Sequence, residues 1–572
     1  MDYLTKGLSV RATLNYDDNY QKAVFQDQNF SEYFLTRDLV DPNKLVYYGG
    51  GVGPVSLVTN TNASTWNKTY FDVGIDYDKV IGDHHFTLLA LGKASTYNLP
   101  GGVFNTPSGI MGLVGRATYN YNDKYLAEFS MGYNGTEQFA STNRFGFFPA
   151  ISLGWVVTNE KFFKKPEWLD FLKIRGSYGL VGNDFLNNRR YLYLPNTYVG
   201  GFNYYFGNSN GTTGNPAFSG TQEGAVGNPL VTWERSTKQG AGIDAKFFSS
   251  RLSMTLDYFK EDRNNILVPS TLIPLTYGVI GNNIPPVNSG VTTNHGYEVS
   301  LGWDDKIGDF RYFVSGSMSY ARNKTVFKAE APNPYPWMNQ TGFSIGQYMG
   351  LKSDGFFNTP EELANRPYNT YSTNKEVLGD LKFKDINGDG IIDYKDVVPI
   401  GKNNLPEYTY NFKVGFSFKG FDVSTLFIGT LNGDYMLNNN YIQDFGGIGG
   451  SAFQYQIEDR WTPEKVANGT PILFPRPQIE YSNMPNYVTN DFWLKSTDFF
   501  RLKNLEIGYT FPTKLIRKVG ISALRIYANG NNLWTSKTQL DKYGIDPETT
   551  DNSSGYLFPL TQAFLMGLNV TF

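Results

Sequence analysis

The sequence contains no cysteine and only three histidines among 572 residues. Without cysteine, disulfide frameworks, thiolate metal sites and a cysteine nucleophile are excluded. Acidic and basic side chains nearly balance, 53 against 50, so the formal net charge is only −3. Such a chain has no electrostatic attraction to nucleic acid or to an anionic membrane surface, which excludes nucleic-acid binding.

Signals for membrane helices, export and catalysis are also missing. No run of about 18 apolar residues predicts a transmembrane helix, and residues 1–9 lack the charged and apolar regions of a signal peptide. His84 and His85 lie beside a predicted turn and His295 at a strand start, which favours turn or surface roles. Neither a G-x-S-x-G motif nor a distinctive carboxylate pair for glycoside hydrolysis is evident. We therefore predict that the chain is not an enzyme.

Aromatic residues and glycine are abundant. Tyr, Phe and Trp make up 16% of the chain, beside 60 glycines and only 18% charged residues. This composition favours β-strands. The chain is also longer than the roughly 250 to 300 residues at which a single soluble core stops growing. Either several domains or one very large architecture is therefore expected.

Apolar and polar residues alternate with a period of two, as in residues 112–134. Tyr125, Phe129 and Tyr133 fall on one face, and Glu128 and Asn134 on the other. A polar turn at 122–124 joins two arms of about ten residues, which predicts an antiparallel hairpin. A strand that crosses a bilayer needs about 9 to 11 residues, whereas globular strands average about 5 to 6.

The same pattern recurs along the chain. Further hairpins are predicted at 71–94, 237–262, 293–322, 408–431 and 500–533. Their turns are short and polar, at 78–83, 248–251, 305–308 and 419–420. Long connections lie between hairpins, for example 181–236, 323–407 and 432–499. Repeated long loops count against a compact soluble domain, but short turns on one side and long loops on the other are typical of outer-membrane barrels.

About sixteen strands are predicted, from 8–17 to 564–572, and an even number fits bacterial barrels. No 40-residue unit recurs, which argues against a β-propeller. The last strand alternates and ends on Phe572, an ending that resembles a barrel-assembly signal, although an edge strand of any β-protein could end in this way. The predicted fold class is all-β, a transmembrane antiparallel β-barrel with long extracellular loops.

Several segments, in the same order, resemble the SusC/RagA family of TonB-linked outer-membrane proteins of the Bacteroidetes. They are NRFGFFPAISLGW at 143–155, LKIRGSYG at 172–179 with GN at 182–183, DLKFKDINGDGIIDYKD at 380–396, FFRLKNLEIGY at 499–509, LRIY at 524–527 and NNL at 531–533. No single segment is diagnostic. Their shared order and spacing make coincidence an unsatisfactory explanation.

The resemblance implies a 22-stranded barrel in the cell outer membrane of a Gram-negative bacterium. It also implies an N-terminal plug, energy from the TonB system, a SusD-like surface lipoprotein as partner, and a nutrient that is an oligosaccharide or a peptide. The sequence departs from the family at its start. We therefore expect residues 1–572 to be the receptor β-barrel domain, truncated so that the signal, N-terminal extension, plug and about six strands are absent.

The sharpest local motif occupies residues 385–396 and matches an EF-hand loop. Calcium takes six to eight oxygen ligands, and glycine at the sixth position permits the sharp turn. The predicted calcium ligands are Asp385, Asn387, Asp389, Ile391 through its carbonyl, Asp393 and Asp396. The last of these is shorter than the usual Glu. The alternative is an Asp- and Gly-rich turn without an ion, and in either case the role would be structural, with no cofactor required.

Two rival functions stay open at this point. A complete sixteen-stranded passive porin would have the same strand count, and a secreted β-rich carbohydrate-binding protein would pack its strands into sheets. Aromatic clusters in predicted loops, at 204–206, at 335–337 and at Tyr368 with Tyr371, could stack on sugar rings. Ordinary loop packing or an interfacial aromatic girdle is the favoured interpretation of these clusters.

Overall fold

In a computed structural model, the protein forms one large antiparallel sheet of sixteen strands. The structure describes residues 6–28, 34–38, 41, 44–48, 57–98, 107–186, 189–195, 198–204, 218–269, 283–372, 376–443, 452–478, 485–549 and 559–572. Each strand of the large sheet pairs with its neighbours in chain order. The strands are β1 Leu8–Gln28, β2 Leu57–Ile81, β3 His84–Asn98, β4 Ser108–Tyr121, β5 Tyr125–Thr136, β6 Phe145–Val156, β7 Leu169–Asn183, β8 Glu234–Phe247, β9 Leu252–Val268, β10 Val287–Ile307, β11 Phe310–Phe327, β12 Tyr408–Phe418, β13 Phe421–Leu431, β14 Phe499–Thr510, β15 Ala523–Thr535 and β16 Ala563–Thr571.

Short elements occur in the connections between these strands. Two-residue to seven-residue strands pair locally as Phe34–Arg37 with Leu45–Tyr48, Tyr198–Tyr204 with Phe218–Glu223, Met349–Gly350 with Val398–Pro399, Ser353–Phe356 with Leu381–Phe383, Tyr368–Asn369 with Ile391–Ile392, and Asp434–Met436 with Leu494–Ser496. The helices are α1 Pro360–Ala364, α2 Gln454–Glu458, α3 Pro463–Ala467 and α4 Thr513–Ile516. None of the helices in the described ranges is both long and apolar enough to span a bilayer.

The period-two pattern gives the sheet two different faces. Strand register aligns Leu88, Phe129 and Ile151, with Ala117 between the first two, in one row across β3 to β6. The large side chains of this row are 45 to 49% exposed. The adjacent row, which carries Glu128, is polar. An apolar face of this extent is costly in water, so we call it the outward, lipid-contacting face and the polar one the lumenal face.

Aromatic rings edge the outward face at both ends. On the side of the short turns, ring pairs include Trp168 with Phe247, Phe248 with Trp303, Phe310 with Phe416, and Phe421 with Tyr509. On the side of the long loops, three tyrosine rings form a row. The ring centroid of Tyr320 lies 5.3 Å from that of Tyr297 and 4.7 Å from that of Tyr408. Tyr312 and Tyr320 of β11 bound a stretch of nine residues, close to the 9 to 11 residues that a tilted strand needs to cross a bilayer.

The predicted hairpins are confirmed, with differences in their turns. The turn expected at 78–83 is only Gly82 and Asp83, because β2 continues to Ile81. The turn at 419–420 is a two-residue turn in which both residues have positive φ, 47° for Lys419 and 92° for Gly420. In the hairpin at 500–533, by contrast, a connection that includes α4 joins β14 to β15.

Several strands are much longer than the ten residues expected. β1 has 21 residues and β2 has 25, and their register runs from Leu8 opposite Tyr77 to Gln28 opposite Leu57. Among the described residues, β3 pairs with β2 from Asn67 onwards, so the upper part of β1 and β2 forms a two-stranded ribbon there. This ribbon continues past the 9 to 11 residues that a tilted strand needs to cross a bilayer. Sequence alternation missed residues 18–28 because both of their faces are largely polar there.

Within the described residues, β1 pairs only with β2, and β16 pairs only with β15. The sheet therefore has two edges. Backbone groups in hydrocarbon need hydrogen-bonding partners, so such edges require pairing strands when they lie in a membrane.

Candidate substrate path

Three long connections pack into one folded unit above the sheet. We call this unit the loop body; it consists of the described parts of 328–407, 432–498 and 536–549, which follow β11, β13 and β15. Its core includes Leu351, Trp493 and Leu540, one from each connection, and each is at most 1% exposed. Burying apolar side chains from all three connections together stabilises a single unit rather than three separate loops.

A buried carboxylate joins the first two connections. Asp380 is 1% exposed, and its Oδ1 accepts hydrogen bonds from Gln478 Nε2 and Asn486 Nδ2, both at 3.0 Å. The guanidinium of Arg476 lies 2.8 Å from the same oxygen, and the backbone N–H of Val377 donates to Oδ2 at 2.9 Å. A buried charge is tolerated only when it is paired and hydrogen-bonded in this way.

A buried guanidinium joins the third connection to the wall. Arg501, on β14, is 1% exposed and donates from Nε to Thr535 Oγ1 at 2.9 Å. It also forms ion pairs with Asp546, at 2.5 Å, and with Glu548. Residues 546–548 are thereby held against the long-loop end of β14 and β15.

A second, smaller apolar cluster closes another part of the long-loop side. It contains Phe139, Phe148, Leu186, Val231, Trp233 and Leu267, all at most 8% exposed. The rings of Phe148 and Trp233 have centroids 5.2 Å apart. Phe148 fits because its neighbour on β7 is Gly182, where a Cβ would lie 2.0 Å from the Phe148 ring. The two family-like segments at 143–155 and 182–183 therefore meet in this cluster.

The lumenal face carries paired charges. Arg116 donates two hydrogen bonds to Glu128, at 3.0 and 2.8 Å. Arg175 bridges Asp244 and Asp257, at 3.0 and 2.7 Å. These pairs link neighbouring strands on a face that is otherwise rich in Ser, Thr, Asn and Gly. The wall is therefore polar and compatible with an aqueous path.

A groove of about 420 Å³ lies in the upper half of this lumenal wall. Side chains from β10 to β14 line it, together with Glu548 of the loop body. The loop body thus reaches the lumenal wall directly through Glu548.

The predicted calcium loop is closed by its own backbone. The two carboxylate oxygens of Asp385 accept from the N–H groups of Gly388 and Gly390, both at 2.7 Å. Asp396, fully buried, accepts from the N–H groups of Ile386 at 2.8 Å and of Asp393 at 2.9 Å. The carboxylates of Asp385 and Asp396 thus serve as turn and capping groups, an arrangement that an Asp- and Gly-rich turn without an ion would also show.

A lysine lies among the predicted calcium ligands. Lys395 Nζ is 3.1 Å from Asp389 and 3.3 Å from Asp393. These two carboxylates raise the pKa of Lys395, and hydrogen bonds from Asn387 and then Lys395 lower the pKa of Asp389. In the part of the chain that is described, no group of three or more His, Cys, Asp or Glu side chains is placed to hold a metal ion. Calcium binding stays a prediction. The ammonium group of Lys395 lies between two of the predicted ligands, Asp389 and Asp393, and would compete with calcium for them.

The histidines take the local roles expected of them. His84 Nδ1 lies 2.9 Å from the Tyr119 hydroxyl, and His85 Nε2 lies 3.2 Å from Asp78. His295 is exposed on the outward face of β10.

The aromatic clusters predicted in the loops differ in how far they are packed. Tyr335 and Trp337 stack on each other at 4.6 Å, and Trp337 Nε1 donates to the carbonyl of Lys395 at 2.9 Å, which is a packing role. Tyr368 is 70% exposed and Tyr371 is half-buried. Residues 205–206 lie outside the described residues. Phe572 follows β16 and is 88% exposed; its role in assembly stays a prediction.

Comparison with known proteins places this geometry in a family. Residues 2–533 match the family described as TonB dependent receptor-like, beta-barrel. The chain is 27% identical to TonB-dependent receptor P3 of Formosa agariphila, over 92% of the chain and 54% of that protein. It is 26% identical to the TonB-dependent receptor SusC of Bacteroides thetaiotaomicron, over 91% of the chain and 49% of that protein.

A solved structure of the RagAB peptide importer in a closed-closed state matches 99% of this chain and 60% of the matched chain, with a TM-score of 0.71 and 19% identity. At that identity the match shows the fold. The chain spans about half the length of the curated relatives it matches. Its resemblance to the SusC/RagA group is thus confirmed, and the chain belongs to the TonB-dependent receptor family as part of the receptor β-barrel.

Proposed function

We propose that this chain forms the wall and outer mouth of a TonB-dependent importer in the cell outer membrane of a Gram-negative bacterium. The loop body supports this proposal most directly. Its packed core, at most 1% exposed at Leu351, Trp493 and Leu540, makes it a preformed surface above a polar lumen rather than a set of separate loops. Such a surface suits capture of a solute and contact with a partner.

The proposed cargo is a nutrient too large for passive porins, either an oligosaccharide or a peptide. A SusD-like surface lipoprotein would cover the loop body, and the TonB system would supply the energy. One relative is named SusC and one matched structure is named a peptide importer, which supports nutrient import without deciding the class. The proposal assigns transport to the chain and no catalytic step.

A passive porin is the competing function that the strand count allows. The family match argues against it, because residues 2–533 match the TonB dependent receptor-like beta-barrel family. A secreted sugar-binding protein fits less well, since Leu88, Phe129 and Ile151 would expose an apolar row to water.

Partner recruitment tests the proposal. The full-length receptor, carrying an affinity tag, is purified in mild detergent from the outer membrane of its host. We expect a surface lipoprotein to copurify in near-equal amount, identified by mass spectrometry. A receptor that is recovered alone under several detergents, or that is soluble without detergent, would contradict the proposal.

A further inference from the structure

A groove of about 320 Å³ lies on the outward face of the sheet, across β2 to β5. Register arranges its lining in two rows, which are Tyr77, Leu88, Ala117 and Phe129, and Ile75, Ala90, Gly115 and Met131. In the second row, the small residues on β3 and β4 lie between the large side chains on β2 and β5. The groove is therefore a furrow with an apolar lining on the face that contacts lipid.

The floor of the groove separates it from the lumen. Leu89 and Arg116 also line the groove and lie opposite each other in the register. Because successive side chains of a strand point to opposite faces, these two side chains point to the lumen. There Arg116 pairs with Glu128 at 2.8 Å. The groove therefore opens toward the bilayer, and a ligand must reach the hydrocarbon region to enter it.

Aromatic rings lie one row nearer the short turns. That row contains Phe86 and Tyr119, whose ring centroids are 4.9 Å apart. The row after it contains His84 and Tyr121, whose ring centroids are also 4.9 Å apart. Aromatic rings concentrate where a membrane meets water. The groove begins two residues further along each strand, about 7 Å from the first ring row, and so lies in the hydrocarbon directly beside the interface.

Lys79 supplies a positive charge at this interface. It lies opposite Phe86, and its side chain is half-buried. Among the described residues, no carboxylate forms an ion pair with Lys79; its neighbour Asp78 points to the other face and pairs with His85 at 3.2 Å. Asp83 is four residues further from the groove, in the turn. The long stem of a lysine can cover apolar surface while its ammonium stays at the interface.

The groove and the lysine together favour an amphiphilic ligand. A small soluble anion gains nothing from an apolar furrow, and a hydrocarbon without a charge gains nothing from Lys79. A phospholipid has both an acyl chain and a phosphate that a basic side chain attracts. Its chain also has room to continue, because a Cβ at Gly92, the next outward position of β3, would meet only Leu113, at 3.7 Å.

We propose that this site holds one phospholipid from the leaflet on the side of the short turns. Its phosphate contacts Lys79, and one of its acyl chains fills the groove. The chain supplies contact atoms to side chains that would otherwise border a void, and so stabilises this part of the wall. The site requires only the barrel and its outward face, and it is independent of the proposed import function.

Native mass spectrometry of the full-length receptor tests the site. The receptor is freed of lipid in mild detergent and titrated with dioleoylphosphatidylglycerol, with dioleoylglycerol or with glycerol 3-phosphate. We expect one phosphatidylglycerol to bind more tightly than any further copy. The other two probes, which lack either the phosphate or the chains, should bind at least about tenfold more weakly.

Two kinds of variant separate the groove from the charge. Ala117→Leu places a larger apolar side chain in the groove and should weaken phosphatidylglycerol binding by about tenfold. Ala90→Leu does the same from β3 and serves as the second groove variant. Lys79→Gln removes the cation and should weaken binding by about fivefold. Heat-modifiable migration on gels verifies that each variant is a folded barrel.

The matched controls lie elsewhere on the sheet. Ala528→Leu enlarges an exposed residue of β15 that lies opposite Ile507 and Met566, outside the groove. Lys518→Gln removes an exposed cation from the connection between β14 and β15, at the same end of the barrel. Both controls should leave the affinity unchanged.

Three binding results would overturn the proposal: dioleoylglycerol binds as tightly as phosphatidylglycerol, glycerol 3-phosphate binds without chains, or neither groove variant weakens binding. A receptor dimer that dissociates in both groove variants would also overturn it, because the groove would then contact a second copy of the receptor. Each of these results would leave the proposed import function intact.

Discussion

Arg501 and Asp380 are buried charges in a chain whose charged side chains are mostly exposed. Arg501 links β14 to residues 546–548, and Asp380 links the first two connections of the loop body. Removing one partner of a buried pair leaves the other uncompensated, which is costlier than losing an exposed pair. The loop body should therefore depend on these two residues more than on any of its surface ion pairs.

Arg501→Met tests that dependence. We expect the third connection to detach from the wall, with a loss of about 2 to 4 kcal/mol of local stability, because Asp546 and Glu548 lose their counter-charge. Limited proteolysis at 536–549 measures the opening. The control is Arg311→Met, which removes an exposed pair with Asp304 whose side chains are 62% and 51% exposed. Equal protease resistance of the two variants would contradict this role.

The calcium prediction also belongs to single residues. Lys395 occupies the space between Asp389 and Asp393, so a calcium ion must displace its ammonium. We expect calcium to raise the thermal unfolding temperature of the receptor, and Lys395→Gln to raise the calcium affinity by removing a competing cation. Asp389→Asn should abolish the response. Unfolding temperatures and near-UV spectra that stay the same from chelator to millimolar calcium would count against the site.

At the scale of elements, the strands were predictable and the loop body was not. Period-two alternation marks a strand wherever one face contacts lipid, and it fails in the upper part of β1, where both faces meet water. The loop body has no such period. The buried core of the loop body is built from residues far apart in the sequence, among them Leu351, Tyr435, Trp493 and Leu540. No local sequence pattern therefore predicts that they are buried.

The strand pair Asp434–Met436 and Leu494–Ser496 contains Lys495, whose ammonium group is largely buried and bonded to a neutral carbonyl. Lys495 donates to the carbonyl of Phe492 at 2.7 Å, and burial lowers its pKa to about 8. The unfolded chain then binds more protons than the folded one between about pH 8 and its ordinary pKa of 10.5. The free energy of unfolding should therefore rise as the pH increases through that window.

Lys495→Met should stabilise the loop body at pH 7 by about 1 to 3 kcal/mol, because it removes a buried ammonium, and should flatten the pH dependence. Thermal unfolding of the receptor between pH 7 and pH 10.5 measures both effects. Lys352→Met, at an exposed position, is the control and should change neither. The prediction would be contradicted if Lys495→Met unfolded at a lower temperature than the unmodified receptor and its unfolding temperature changed with pH to the same extent. Burial of Lys495 would then not destabilise the loop body.

At the scale of the whole molecule, family-like segments carried more information than composition did. The segments at 143–155 and 182–183 pack together through Phe148 and Gly182, and the segment at 499–509 carries Arg501. Their residue types serve packing and the attachment of loops, which is why no catalytic pattern emerged from them.

We propose that this chain belongs to an energised importer and not to a passive pore. The most direct measurement is uptake of labelled nutrient by the host bacterium, with the receptor depleted and, separately, with TonB depleted. If import is energised by TonB, either depletion should abolish receptor-specific uptake. Uptake that requires the receptor but persists at the same rate without TonB would contradict it and establish a passive porin.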